Sequence, residues 1–565
     1  MSVTSSTKFD SEQAVEKVSQ ANHEPAERAG PNSGEESIDP ENEAHGWRLI
    51  SIHIAICLCT FLVGLDFNVI ATATPVITSQ FNSIKDVGWY GAAFQLGLSP
   101  TQPLAGKVYT LFSKKIVYLA SILIFEVGSL ISALAQSSST LIIGRAVAGL
   151  GASGIFAGGF AILTSIIPLH KRAIWTGTMS STFSLASIVG PVLGGALTQQ
   201  ISWRWCFYIN LPIGGFAGIL LFLVLRLRPA ESEKLSQVAK LKSFDLIGLI
   251  LFAGSTTMLL LALNWGGNIY EWSSSVIIGL LIGSGVSFIV FVTWQLHMQD
   301  YALVPPRLFT IHRNVGLICL GAFFVNGPIQ IIVYWLPLWF QVVLDATPTQ
   351  SGVKYLPMVI SDLISAILGS SIVMKVGFWN PFLLLGEVTV SVGAGLLSTI
   401  HPLVSDAHWI GYQILCGTGY ALVTNLAHLG LQATLPRDLV PMGASTLLAI
   451  IAMSCSIFLA IGQAVFVRRL EINLTSVGLS SVINDVLHTG ATNLDSVVDA
   501  VKLPAVIQAY GKSVTQLFYV PAAAPVVSFF LVCGCSWISI KKSTGTIEEK
   551  SHEAEMKTTR NNEEI

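Results

Sequence analysis

The chain has 565 residues, of which 52% are hydrophobic and 11% charged, with a formal net charge of −2 at pH 7. Soluble globular proteins carry about 25% charged residues. The low charge and the mean hydropathy of +0.65 therefore exclude a soluble enzyme, a disordered chain and, for want of a basic excess, a nucleic-acid binder.

Residues 1–47 are polar and mostly acidic and read as a disordered cytoplasmic tail. No basic segment followed by an apolar one opens the chain, so the first apolar helix is expected to be its own targeting signal. A bilayer core of about 30 Å takes roughly 20 apolar residues as helix. Such runs fall at 48–70, 88–107, 116–135, 141–163, 174–197, 206–226, 244–264, 275–295, 314–340, 352–374, 381–400, 408–430, 442–466 and 517–540. The chain thus reads as an all-α polytopic membrane protein with fourteen spans. An even count puts both tails on one side. With the N-tail inside, the short inner loops carry Lys107, Lys114, Lys115, Lys171, Arg172, Arg226, Arg228, Lys234, Lys240, Lys242, Arg307, Arg313, Lys375 and Arg437, against Lys85, Arg204 and Lys354 outside. Positive charge collects in cytoplasmic loops, so both tails, the second at 541–565, are expected in the cytoplasm. One outer connection, 467–516, is long. It contains the sequon Asn473-Leu474-Thr475, a candidate glycosylation acceptor.

No polar stretch is long enough for a nucleotide-binding domain. Gly511-Lys512-Ser513 imitates the end of a phosphate-binding loop, but Val506 stands where the first glycine is required. The eight cysteines lie in or beside apolar runs without metal-ligand spacing. Neither cofactor nor metal is expected, and transport driven by an ion gradient or by facilitated diffusion remains.

Ionisable residues inside a membrane are costly and so are functional candidates. They are Asp66, Glu126, Arg145, Asp362, Glu387 and His428, with His53 nearer the inner face. Asp66 lies about 18 residues into the first span, roughly 27 Å along it, near the outer face. Arg145 enters the fourth span from that face. At similar depth the two are a candidate proton-coupling pair, since an arginine neighbour favours the charged carboxylate and its loss favours the neutral one. Glu126 and Glu387 read as structural or groove-facing, and His428 as a packing histidine. Amides on the spans must face protein or a cavity. Asn68, Gln95, Asn326, Gln330, Gln413 and Asn425 are the candidate substrate-cavity set, with interhelical hydrogen bonding as the alternative at each.

The fifth span contains Gly190-Pro191-Val192-Leu193-Gly194-Gly195. Proline bends the helix and the glycines permit close packing. This resembles the antiporter motif of the major facilitator superfamily (G-x-x-x-G-P-x-x-G-G), with Ala186 for its first glycine. Leu65-Asp66 through Thr74-Pro75 resembles the first-helix motif of drug:proton antiporters, with differences at Asn68 and Thr74. Gly144-Arg145 through Gly149-Leu150-Gly151 resembles the fourth-helix motif whose arginine is linked to proton coupling. Gly106-Lys107 through Lys114-Lys115 resembles the loop motif after the second helix, but Thr110 and Ser113 replace its usual aspartate and glycine. Trp203 through Pro212, Tyr334 through Gln341 with Gln350 through Val353, Gly411-Tyr412-Gln413 and Gly462-Gln463-Ala464 are similar to fungal fourteen-spanner drug:proton antiporters, which include toxin and mycotoxin efflux carriers.

The resemblance covers roughly 48–540 and implies a major facilitator fold. Its expected parts are a six-helix half at 48–228, an inner loop and two extra helices at 229–313, and a second six-helix half at 314–540. It also implies a proton-coupled exporter of small organic compounds in the plasma membrane, with the vacuolar membrane as the alternative; no pairing motif points to an oligomer, and a monomer is expected. Other readings are a siderophore-iron importer of the same superfamily and a non-transporting sensor. The short C-tail argues against the sensor.

Overall fold

The structure, a computed structural model, describes residues 46–167, 169–227, 245–267, 269–299, 302–435, 439–483, 486, 498–499 and 501–539. The expected tails, apart from the last residues of the first, lie outside the described residues, as do Arg228, Lys234, Lys240, Lys242, Arg437 and the side chains of Lys171, Arg172 and Thr110.

Each predicted span is occupied by helix. In chain order the helices are α1 (Gly46–Phe81), α2 (Val87–Leu111), α3 (Lys114–Ala133), α4 (Ser138–Ile166) and α5 (Leu169–Gln200). They continue with α6 (Trp205–Val224), α7 (Leu246–Trp265), α8 (Ser275–Met298), α9 (Arg313–Val343), α10 (Pro348–Val376), α11 (Asn380–Leu397), α12 (Asp406–Thr434) and α13 (Val440–Ser476). The last is α14 (Leu503–Cys533). Among the described residues, 12 helices are long and apolar enough to cross a membrane. The two that fall short are α2, interrupted by Gln95, Ser99, Thr101 and Gln102 as well as two prolines, and α5, rich in serine, threonine and glycine. Large apolar side chains such as Phe222, Ile289 and Phe530 point outward, as lipid-facing residues do.

Three helices differ from the sequence reading: α1, α13 and α14. Helix α1 runs to Phe81 rather than residue 70. Asp66 therefore stands well inside the helix, with about 22 Å of helix beyond it at 1.5 Å per residue, and not near its outer end. The long connection expected at 467–516 is also shorter, because α13 continues to Ser476 and α14 begins at Leu503.

The packing repeats. Helices α1–α6 pack as α1 on α5 and α6, α4 on α2 and α3, and α3 on α6. Helices α9–α14 pack the same way: α9 on α13 and α14, α12 on α10 and α11, and α11 on α14. The two sets meet through α2 with α13, α5 with α10 and α1 with α9. The contacts of α5 with α10 and of α1 with α9 lie at the distal end, away from Gly46. There Gln341 Nε2 donates to the Thr72 carbonyl at 3.2 Å and Thr349 Oγ1 to Gln199 Oε1 at 2.7 Å. The α2–α13 contact runs further, from Gly88 N donating to Gln463 Oε1 to Ser99 Oγ donating to the Ala449 carbonyl.

The α7–α8 hairpin lies outside this repeat, with α7 against α2 and α13. Asp245 fastens its base. The carboxylate accepts from Gly248 N (2.7 Å), Trp294 Nε1 (2.7 Å), Gln295 Nε2 (2.6 Å) and Leu303 N (2.9 Å). Burial alone would push this carboxyl up, but those donors outweigh it and hold Asp245 below the ordinary carboxylate value. Lys107 of the loop motif donates to the Ala302 carbonyl at 2.8 Å in the same region.

Candidate functional site: a buried ion pair between α1 and α4

Asp66 on α1 and Arg145 on α4 meet, both with fully buried side chains. Arg145 Nη1 binds Asp66 Oδ2 as an ion pair and also donates to the Asp66 carbonyl at 3.2 Å. Its Nε donates to the Tyr90 carbonyl of α2 at 3.0 Å. The guanidinium lies over the Phe94 ring, 4.7 Å from its centre, with Phe207 at 5.9 Å, and each ring face attracts the cation. The carboxylate has a second donor, Asn210 Nδ2 of α6, at 3.3 Å from Oδ1. The same amide donates to Ser129 Oγ of α3 at 3.1 Å. Five helices of the first half thus converge on one ion pair. Breaking such a pair from one side would leave a buried charge uncompensated, at a cost of about 3–5 kcal/mol.

The second half reaches this site through Tyr334 of α9. Its ring occupies the space that a Cβ at Gly91 would need. Its buried hydroxyl lies beside Arg145 and interacts electrostatically with Arg145 and Asp66. A residue of one half therefore sits against the charged centre of the other. What the arrangement can do chemically is exchange the partner of a carboxylate. Asp66 can hold Arg145, or release it and take a proton, and the relation of α1 to α4 would change with that choice.

The glycine-proline segment of α5 lies next to it. Gly190 packs on Asn68, and Gly194 on Val69 and Thr72. Thr72 Oγ1 donates to the Pro191 carbonyl at 3.1 Å. Gly195 faces the other way, against the Pro348 carbonyl and Thr349 of α10, and Gly352 of α10 faces the Pro191 carbonyl. The absence of side chains at these positions lets α5 approach α1 and α10 together.

The amides separate by surroundings. Asn68 donates to the Gly64 carbonyl (2.7 Å) and Ser187 Oγ (3.2 Å), and Gln413 donates to the Lys354 carbonyl (3.0 Å). Both tie chain segments together. Gln95 is buried on α2. Asn326 of α9 accepts from Thr424 Oγ1 of α12 at 3.0 Å. Gln330, one turn further on α9, is buried with its Oε1 unpartnered among the described residues, and Asn425 is exposed beside Thr424. The remaining ionisable groups stand apart from the pair, Glu126 excepted. Glu387 accepts from Ser528, Asp362 interacts with Tyr355 and Tyr420, and His53 Nε2 lies 2.9 Å from Thr178 Oγ1. Asn473 lies inside α13, 5% exposed. Its amide donates to Ser513 Oγ (2.8 Å) and Gln516 Oε1 (3.2 Å), so the sequon asparagine packs against α14.

Asn210 and Ser129 do not emerge from the sequence reading. Asn210 stands at the start of an apolar span, where an amide reads as an end residue. The available signal was that it enters the membrane from the same side as Arg145.

Comparison with known proteins agrees with this architecture. The model of the Major Facilitator Superfamily matches residues 56–463. The chain is 38% identical over 504 residues to efflux pump roqT of Penicillium rubens, covering 89% of this chain and 93% of that one. It is 39% identical over 511 residues to MFS-type transporter astH of Aspergillus oryzae, covering 89% and 90%. It is 38% identical over 515 residues to efflux pump mlcE of Penicillium citrinum, covering 89% and 93%. Among solved structures, a bacterial homolog of the human lysosomal transporter Spinster, in an inward-facing and unoccupied conformation, superposes with a TM-score of 0.62 at 14% identity, over 86% of this chain and 97% of that one. The D-xylose-proton symporter superposes with a TM-score of 0.52 at 14% identity, over 80% and 99%. These two likenesses concern the fold alone.

Proposed function

We propose, given that this chain belongs to the Major Facilitator Superfamily and is a multi-pass membrane transporter rather than an enzyme, that it exports a small organic compound in exchange for protons. The observation that carries this reading is the buried Asp66–Arg145 pair, a titratable centre held from five helices and touched by Tyr334 of the other half. In the cycle, Asp66 releases Arg145 when it takes a proton from the outer side and recovers it when the proton leaves to the cytoplasm. The α5 segment with Gly190, Pro191, Gly194 and Gly195 is the joint on which the halves rock. Gln330 and Asn425 hold polar groups of the compound, while Asn68, Asn326 and Gln413 hold helices.

The compound class is a secondary metabolite or a xenobiotic of a fungal cell. Support comes from the relatives named as efflux pumps. All fourteen helices cross the bilayer, α2 and α5 being the least apolar because they face the interior. The positive charge at one end of the helices puts both tails in the cytoplasm, and the chain works as a monomer in the plasma membrane.

The test is counter-transport in proteoliposomes. An imposed pH gradient should drive uphill movement of the compound by the wild type. Asp66→Asn should abolish the uphill movement and retain exchange of compound across the bilayer without a gradient. Full gradient-driven transport by Asp66→Asn would sink the coupling role.

A further inference from the structure

Glu126 of α3 is 8% exposed, and neither of its carboxyl oxygens has a hydrogen-bond partner among the described residues. Its Oε1 lies where a Cβ on Gly214 of α6 would stand, so the carboxyl is pressed against the α6 backbone. Gly214 is one turn from Asn210 on α6, about 5.4 Å, and Ser129 is three residues from Glu126 on α3. The Glu126 carboxyl and the Asn210–Ser129 hydrogen bond therefore occupy adjacent turns of one α3–α6 seam. Asn210 is the residue that also binds Asp66, and its own Oδ1 is a further unpartnered acceptor. The titratable groups that act on Glu126 are Asp66 and Cys59 from α1, with Arg145 behind Asp66 on α4. Asn210 and Gly214 of α6 carry no charge.

Two carboxyls and one guanidinium in a site with no other counter-charge among the described residues cannot all be ionised at low cost. One proton per site restores neutrality. With Asp66 bound to Arg145, that proton belongs on Glu126, whose oxygens no donor neutralises.

We propose that Glu126 is a second proton-binding carboxyl that shares one exchangeable proton with Asp66, both carboxyls lying beside Asn210. When the proton passes, the O–H bond of Glu126 breaks and its electron pair stays on Glu126. An O–H bond forms on Asp66, which gives up Arg145. The site has zero net charge before and after, and the negative charge has moved from α1 to α3. Glu387, the buried carboxyl of the α11–α14 seam in the other half, differs because it accepts from Ser528. It has no ion-pair partner among the described residues and no such exchange partner.

The proposal deepens the proton-exchange reading and rests on it for its role, but its test does not use transport. Infrared spectra of the full chain in lipid nanodiscs at neutral pH should contain a protonated-carboxyl C=O band assigned to Glu126. That band should be lost in Glu126→Gln and displaced in frequency in Glu126→Asp. It should also be lost in Asp66→Asn, because Arg145 without its carboxylate draws Glu126 into the charged form. A spectrum unchanged by Glu126→Gln overturns the proton site. A band lost in Glu126→Gln but unaltered by Asp66→Asn overturns the sharing. If all three variants behave as expected while the wild type moves no compound against a pH gradient, the exchange reading falls and the proton-binding centre stands.

Discussion

Asn210 donates its side-chain amide to Asp66 Oδ1 at 3.3 Å, so the carboxylate paired with Arg145 from α4 is held from α6 as well. A hydrogen bond to a charged group contributes about 1.5–3 kcal/mol. If Asn210 positions Asp66, Asn210→Ala should lower gradient-driven efflux by about tenfold or more, 1.4 kcal/mol being one decade. The shape of its pH profile should also change, and Asn210→Asp should not restore it. Loss of thermal stability with an unaltered pH profile would identify Asn210 as a packing residue only.

The distal joint between halves depends on Gly195, whose missing side chain makes room for the Pro348 carbonyl. Gly195→Val should separate α5 from α10 at that end. A cysteine pair replacing Gln199 and Thr349, whose side chains now meet at 2.7 Å, should cross-link readily in an otherwise wild-type chain. The same pair should cross-link several-fold less with Gly195→Val. Equal cross-linking in both would show that α10 accommodates the added methyl groups by local adjustment.

Asp245 gathers four donors at the base of the α7–α8 hairpin. Its carboxyl is held below the usual value, so the folded state prefers the charged form. The stabilisation is therefore fully present above the unfolded value, about pH 4, and fades as pH falls through the folded value. Asp245→Ala should lower the unfolding temperature of the detergent-solubilised protein at neutral pH, with a destabilisation of about 2–4 kcal/mol for orphaned buried donors. The deficit should shrink toward pH 3.

Asn473 is turned into the α13–α14 contact. A glycan on its amide nitrogen would have to displace Ser513 and Gln516. Digestion of the protein from a fungal host with an N-glycosidase should leave its electrophoretic mobility unchanged, and Asn473→Gln should migrate like the wild type. A mobility shift on digestion that Asn473→Gln removes would mean that α13 unwinds at its end during maturation.

Much of this molecule is readable from the sequence because a bilayer allows few solutions. Apolar runs of membrane length must be helices. Ionisable residues within them are so few that Asp66 and Arg145 stand out without any knowledge of where they point. The motif around Pro191 is legible for the same reason: proline and glycine act on the helix that carries them. Helix ends are less so, because α1 beyond residue 70 and α13 beyond residue 466 leave the apolar pattern while remaining helical. The repeat of α1–α6 in the packing of α9–α14 is a matter of which helices touch, on which hydropathy is silent.

The site itself was decided by the tertiary structure. Asp66 and Arg145 are 79 residues apart, and Asp66 and Asn210 are 144 apart. Whether they meet depends on how each helix is rotated about its axis and how closely glycines let neighbours approach. Tyr334 reaches the pair only because Gly91 leaves space for its ring. Glu126 gains meaning only from the α6 seam that places it one turn from Asn210. Composition and hydropathy settle that a charge lies in the membrane. The packing of five helices settles which charges meet, since electrostatic coupling falls with distance through space and takes no account of separation along the chain.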